Sequence, residues 1–200
     1  MNEEQPQPIN ESKELQTTNE QEHRSQPRIY VASLADYNAG RLHGRWVNAA
    51  QSSETLHTAI NEMLAASHEP SAEEWAIHDY EGFGPLRLGE YESIEKVANV
   101  ARGIAKHGPA FAAWVAEVGI DETEEMERFE ECFLGHWDSI DAYAEQYVED
   151  IGIETEIDKL AGPLAPYVRI DIEALGRDML LGGDLSAVEA EDGGVYIFGP

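Results

Sequence analysis

Two rows of carboxylates carry the chemistry this sequence offers. Glu124, Glu127 and Glu131 recur at helical spacing, and Asp141, Glu145 and Glu149 follow in an i, i+4, i+8 row. At about 100° per residue the first three fall within about 60° of one another, and each row separates its carboxylates by about 5–6 Å. The stretch 117–158 around them holds sixteen acids against one base, Arg128, for a net charge of −15 over 42 residues. Duplex DNA presents one negative charge per roughly 1.7 Å of axis, so one row is too sparse to match it, whereas two or three neighbouring helices approach that density. Such a surface can imitate a phosphate backbone. The candidate surface comprises Glu117, Asp121, Glu122, Glu124, Glu125, Glu127, Glu130, Glu131, Asp138, Asp141, Glu145, Glu149 and Asp150.

Solvated disorder does not account for this stretch, because it also contains Met126, Phe129, Phe133, Trp137, Tyr143 and Tyr147, large apolar groups that acidic disordered tails lack. Helix stability does not account for it either. Like charges at i, i+4 cost about 0.2–0.5 kcal/mol each. Asp121, Glu122, Asp138 and Asp141 fall near expected helix N-termini, where the dipole favours them. Glu127, Glu131, Glu145 and Glu149 have no such role and are the acids singled out for binding.

The whole chain carries −27 over 200 residues, of which residues 28–200 carry −23. That charge equals about 11–12 base pairs, or about 40 Å of duplex. Nucleic acid would be repelled and a basic protein groove attracted, so the expected partner is a basic protein and not DNA or RNA. An adaptor or chaperone for another basic protein, such as a nucleoid protein, stays open as an alternative. So does an acidic surface that only maintains solubility in high salt.

Other chemistries fit poorly. The carboxylates are many and undifferentiated, which argues against a glycosidase-type acid/base pair. An EF-hand loop starting at Asp121 fails, since Met126 stands where glycine is needed and Cys132 where the bidentate Glu belongs. The seven histidines form no H-x-x-x-H pair and the single cysteine has no second thiol, so no zinc site is expected. No nucleophile elbow, phosphate-binding loop or dinucleotide fingerprint occurs. The expectation is a non-enzyme with no catalytic residues, no metal and no cofactor. Trp46, Trp75, Trp114 and Trp137 are expected in cores.

The elements that must position these acids can be traced along the chain. Residues 1–27 are rich in Gln, Glu, Asn, Ser and Pro and are read as a disordered arm. A strand is expected over 28–33, a loop over 36–40, and a second strand over 43–48. Ser52 or Ser53 caps a helix bearing Leu56, Ile60, Met63 and Leu64, and another strand begins near Trp75. Ile94, Val97, Val100 and Ile104 form one helical stripe, and Phe111, Trp114, Val115 and Val118 another beyond Gly108-Pro109. The acidic helix is expected over 122–133 with Met126, Phe129 and Phe133 inward. A further helix spans 139–151 with Ile140, Tyr143, Tyr147 and Ile151 turned from the acids. A helix over 171–180 and a hairpin of 185–189 with 195–198 complete the chain. The fold class is α+β, divided into a small α/β domain (28–87), a helical acidic domain (88–133) and an α+β domain with a C-terminal hairpin (134–200). An echo supports the divisions: Leu, Gly, aromatic, acid, Ser, Ile recur from Leu88 and from Leu134, at an offset of 46. One cysteine excludes an internal disulfide and fits a reducing compartment, and no membrane span or signal core is seen, which predicts a cytoplasmic location.

Taken in order, several short motifs resemble the ArdA-type antirestriction proteins. They are Ile29-Tyr30-Val31-Ala32-Ser33-Leu34, Tyr37-Asn38, Gly40, Gly44, Trp46-Val47 and Ile77-His78-Asp79-Tyr80-Glu81-Gly82-Phe83. Phe133-Leu134-Gly135-His136-Trp137-Asp138-Ser139 and Gly193-Gly194-Val195-Tyr196-Ile197-Phe198 follow. The resemblance implies an elongated, three-domain α+β protein that forms a homodimer and mimics bent B-form DNA. It further implies occupation of the DNA groove of type I restriction–modification enzymes, protecting incoming plasmid or transposon DNA. The segment 127–139 resembles the part of the family associated with antirestriction.

Overall fold

Alternating apolar residues begin the described chain: Ile29 and Val31 are fully buried on a strand whose Arg28 and Tyr30 are only half-covered. The computed structural model describes residues 26–200; the arm expected over 1–27 lies, up to residue 25, outside the described residues. The described chain forms a mixed α+β architecture with two small sheets, and it divides into two compact units. One contains the described residues to Phe83 together with Arg87–Lys106, and the other Gly84–Leu86 with His107–Pro200.

In the first unit, β1 (Arg28–Ser33) is the central strand of an antiparallel sheet between β2 (Gly44–Asn48) and β3 (Trp75–Glu81). Ile29 faces Val47 on one side and Tyr80 on the other. The segment expected as a loop over 36–40 instead forms a short helix, α1 (Leu34–Asn38). Ser33 caps it, its Oγ accepting from the Asp36 amide at 3.3 Å. Helix α2 (Ser53–Ala65) starts at its expected cap, with Ser52 Oγ accepting from the Thr55 amide. It buries Leu56, Ile60 and Met63. Helix α3 (Ile94–His107) buries the anticipated stripe of Ile94, Val97, Val100 and Ile104. Asp36 is fully buried, and its carboxylate accepts from Ser67 Oγ and, at 3.4 Å, from the His68 amide. The Ser67 hydroxyl is the main reason its pKa falls to about 2.

The second unit is organised by aromatic rings. Helix α4 (Pro109–Val118) buries Phe111, Trp114 and Val115. The expected acidic helix over 122–133 is not continuous: it is α5 (Thr123–Glu127), α6 (Phe129–Cys132) and then strand β4 (Phe133–Trp137). The buried residues explain the break. Met126, Phe129 and Cys132 recur every third position, and on a straight α-helix the first and last would point about 120° apart. Breaking at Arg128, whose amide donates to the Glu125 carbonyl three residues back, turns all three inward. Phe133 then enters the sheet half-buried instead of continuing a helical face.

Strand β4 pairs with β6 (Val195–Phe198), which pairs in turn with β5 (Ser186–Glu189), giving the antiparallel order β4-β6-β5. The last two strands are the expected hairpin. Helix α7 (Ile140–Ile151) is capped by Ser139, whose Oγ accepts from the Ala142 amide. It buries Ala144 and Val148; Tyr147 and Ile151, expected on the inner face, are 40% and 53% exposed. The reason is α9 (Ile172–Gly182). Its Gly176 is buried, and a Cβ there would lie 3.3 Å from Ile140 Cγ1, so the helices approach closely where α9 presents a glycine to the start of α7. Between them run an unanticipated helix, α8 (Ile153–Ala161), and a 3₁₀ segment, Gly162–Tyr167. Of the four tryptophans only Trp114 is in a core: Trp46 is 36% exposed, with the Arg28 guanidinium 4.7 Å from its ring centre. Trp75 and Trp137 are half-buried. The echoed segments differ in structure, since Leu88 lies in the loop before α3 whereas Leu134 lies in β4.

Candidate functional site

All thirteen candidate carboxylates belong to the second unit. Twelve are exposed and Glu125 is half-buried. Glu117 lies in the last turn of α4; Asp121 and Glu122 lie in the turn that follows; Glu124, Glu125 and Glu127 are on α5, and Glu130 and Glu131 on α6. Asp138 lies between β4 and Ser139, and Asp141, Glu145, Glu149 and Asp150 are on α7.

What holds the acids outward is the buried partner between each pair of them. Phe129 sits among Phe133 at 5.1 Å, Phe111 at 5.2 Å, His107 at 4.9 Å and Phe198 at 6.3 Å between ring centres. The Trp114 indole N–H donates to the Glu125 carbonyl at 2.9 Å, and the Gly199 amide donates to the Cys132 carbonyl at 2.7 Å. With its backbone and apolar side chains pinned this way, α5–α6 directs Glu124, Glu127, Glu130 and Glu131 to solvent. At the next turn, the His136 imidazole donates from Nε2 to the Gly193 carbonyl at 2.8 Å, tying β4 to the hairpin.

Helix dipoles sort the acids again, differently from the expectation. Because the acidic segment breaks, Glu124 and Glu125 fall in the first turn of α5, and Glu130 and Glu131 in that of α6. Glu131 therefore does lie beside a helix N-terminus. Glu149 and Asp150 show the opposite placement. They occupy the last turn of α7, which contains no base, where the dipole disfavours negative charge. A nearby cation does little to neutralise the surface. Arg128 pairs with Glu125 at 2.9 Å, which raises the pKa of its guanidinium, and Lys159 pairs with Glu156 at 2.7 Å. Burial, with Tyr147 and Asp150 adding to it, raises the pKa of the Tyr143 hydroxyl.

Charge is segregated between the units. The second has 23 acids and four bases, for −19; the described residues of the first have eleven acids and seven bases, for −4. Among the described residues no three His, Cys, Asp or Glu side chains gather where a metal ion could be held. The carboxylates form a distributed field. The candidate surface ends at Asp150, whereas Glu154, Glu156 and Asp158 of the same acidic stretch are exposed on α8, and the acids from Asp171 to Asp192 belong to the same unit. Their signal was net charge over a longer window, diluted by Lys159, Arg169 and Arg177.

A family model described as Antirestriction protein (ArdA) matches residues 29–193. The chain belongs to the ArdA family. The comparison with curated proteins returned no match. ArdA membership gives the chain a general antirestriction role, and with it an interaction with components of restriction–modification systems. The matched residues contain every candidate carboxylate, so the acidic field is part of the ArdA region itself.

Proposed function

We propose that this ArdA-family chain inhibits type I restriction–modification enzymes by imitating B-form DNA and occupying their DNA-binding groove, so protecting incoming mobile DNA. The observation that carries this reading is the −19 charge of the second unit, presented on exposed carboxylates that include two at the unfavourable end of α7. That charge corresponds to about nine to ten base pairs of duplex. A groove that binds DNA is basic and releases counterions when filled, and a carboxylate field exploits the same term. No catalytic step is part of the proposal. The chain acts in the cytoplasm, where restriction meets incoming DNA, and as a homodimer it would cover about twice the duplex length of one protomer.

The test is competition. A labelled target duplex is bound to a type I methyltransferase core at about 0.1 M salt, and this protein is titrated in. Displacement near stoichiometry that weakens as salt rises supports groove occupation. Reversing Glu127, Glu131, Glu145 and Glu149 to Lys should abolish displacement with the fold intact. Full displacement by that variant would remove these four from the surface. No displacement by the unmodified protein would favour the adaptor reading, with the acidic field directed at another basic protein.

A further inference from the structure

The first unit carries a groove that the acidic field does not include. It has a volume of about 580 Å³ and lies where the start of β3, the first residue of α1 and the N-terminal turn of α3 meet. Its floor is apolar: Leu34 and Trp75 are half-buried, and Ile94 is buried. Tyr91, 73% exposed, forms one wall. A second hollow, lined by Tyr37 and His78, continues from it across the shared Leu34 and Tyr91.

The rim is acidic. Glu73 and Glu74 stand on the β3 side, and Glu92 and Glu95 on the α3 side. The α3 pair is favoured by the helix N-terminus, but Glu73 and Glu74 precede a strand and gain nothing of the kind. Among the described residues no Lys or Arg lines the groove. Three arginines elsewhere in this unit pair with other acids: Arg28 with Glu81, Arg41 with Glu69 and Asp36, and Arg45 with Glu62.

We infer that this groove seats a basic segment of a partner protein, with an arginine between the carboxylate rim and the aromatic walls and an aliphatic neighbour on the Leu34–Ile94 floor. A guanidinium suits the site because it stacks on an aromatic face and hydrogen-bonds carboxylates in one plane. Charge excludes the chain's own N-terminal arm, since residues 1–25 hold six Glu against Lys13 and Arg24. The inference goes beyond the acidic field of the second unit, and its test needs no restriction enzyme.

The probe is an end-blocked octapeptide of alternating leucine and arginine, titrated into the full-length protein while the Trp75 indole N–H signal is followed by NMR. The control peptide carries citrulline, which is uncharged and near-isosteric, at each arginine. The Trp75 signal should move with the arginine peptide and not with the citrulline one. Glu73→Gln/Glu74→Gln/Glu95→Gln should weaken that response at least about tenfold, as loss of charge-assisted hydrogen bonds requires, and Tyr91→Ala should weaken it separately. Glu145→Gln/Glu149→Gln/Asp150→Asn, in the second unit, should leave it unchanged. A stationary Trp75 signal, or an equal response to citrulline, overturns the inference. So does a Trp75 response to a synthetic peptide of residues 1–25, which would make the arm the occupant. A signal that moves on dilution of the protein alone would assign the groove to a second copy and overturn it equally.

Discussion

The indole N–H of Trp114 donates to the backbone carbonyl of Glu125 at 2.9 Å. The most apolar helix of the second unit thereby grips the most acidic segment by its main chain, and the Glu125 side chain stays available to pair with Arg128. A surface of like charges tends to push itself apart. Attachment through backbone and ring contacts lets this one stay folded without neutralising it.

Trp114→Phe removes that hydrogen bond while keeping most of the ring. The expected cost is about 1 kcal/mol of stability, measured by urea denaturation. Amide exchange should rise first over 123–132, in α5 and α6.

Phe129→Ala tests the hub of the aromatic cluster. Phe129 is 4% exposed, and truncation of such a ring costs about 3–5 kcal/mol. Loss of near-ultraviolet dichroism together with the β4–β6 amide protections would mark collapse of this unit. Glu145→Gln, on the exposed face of α7, should do the reverse and raise stability by about 0.4–1 kcal/mol by relieving two i, i+4 repulsions, with Asp141 and with Glu149.

Asp36 gives a pH signature. Its folded pKa of about 2 lies below the ordinary 3.8, chiefly through the Ser67 hydroxyl. A depressed carboxylate pKa adds stability that is fully present above about pH 4 and is lost as pH falls toward 2. Asp36→Asn should therefore melt below the wild-type protein at pH 7, and the difference should shrink between pH 4 and 2. Thermal melts of the two proteins across that range provide the comparison.

Gly194→Ala probes the turn into β6. Gly194 has φ +78°, and a Cβ on it would overlap the Trp137 carbonyl oxygen. Strain and steric overlap together should destabilise the protein by more than about 1 kcal/mol. Calorimetry should show a lower Tm, with Gly193→Ala (φ +97°, open space around its Cβ) as the milder control.

Much of the fold was legible in the residues. Strands at Arg28–Ser33 and Trp75–Glu81, the Ser52 and Ser139 caps, the stripe from Ile94 to Ile104 and the terminal hairpin follow from period and cap chemistry acting over a few residues. The three-residue spacing of Met126, Phe129 and Cys132 was also present, and it signals a break in a helix when all three must be buried. Strand β4 was harder to read. Phe-Leu-Gly-His-Trp is short, contains a glycine at φ +117°, and becomes a strand only because β6, some sixty residues later, offers it a partner.

By itself the sequence determined the sign and density of the charge, the α+β class and the identity of most elements, because each depends on local composition or on neighbours within a helical turn. The tertiary structure alone decided how distant segments meet. It turned Tyr147 and Ile151 outward by packing Gly176 against Ile140, and assembled an acid-rimmed apolar groove from residues as distant as Leu34, Trp75 and Tyr91. Such placements depend on contacts between segments far apart in the chain, and no local period encodes them.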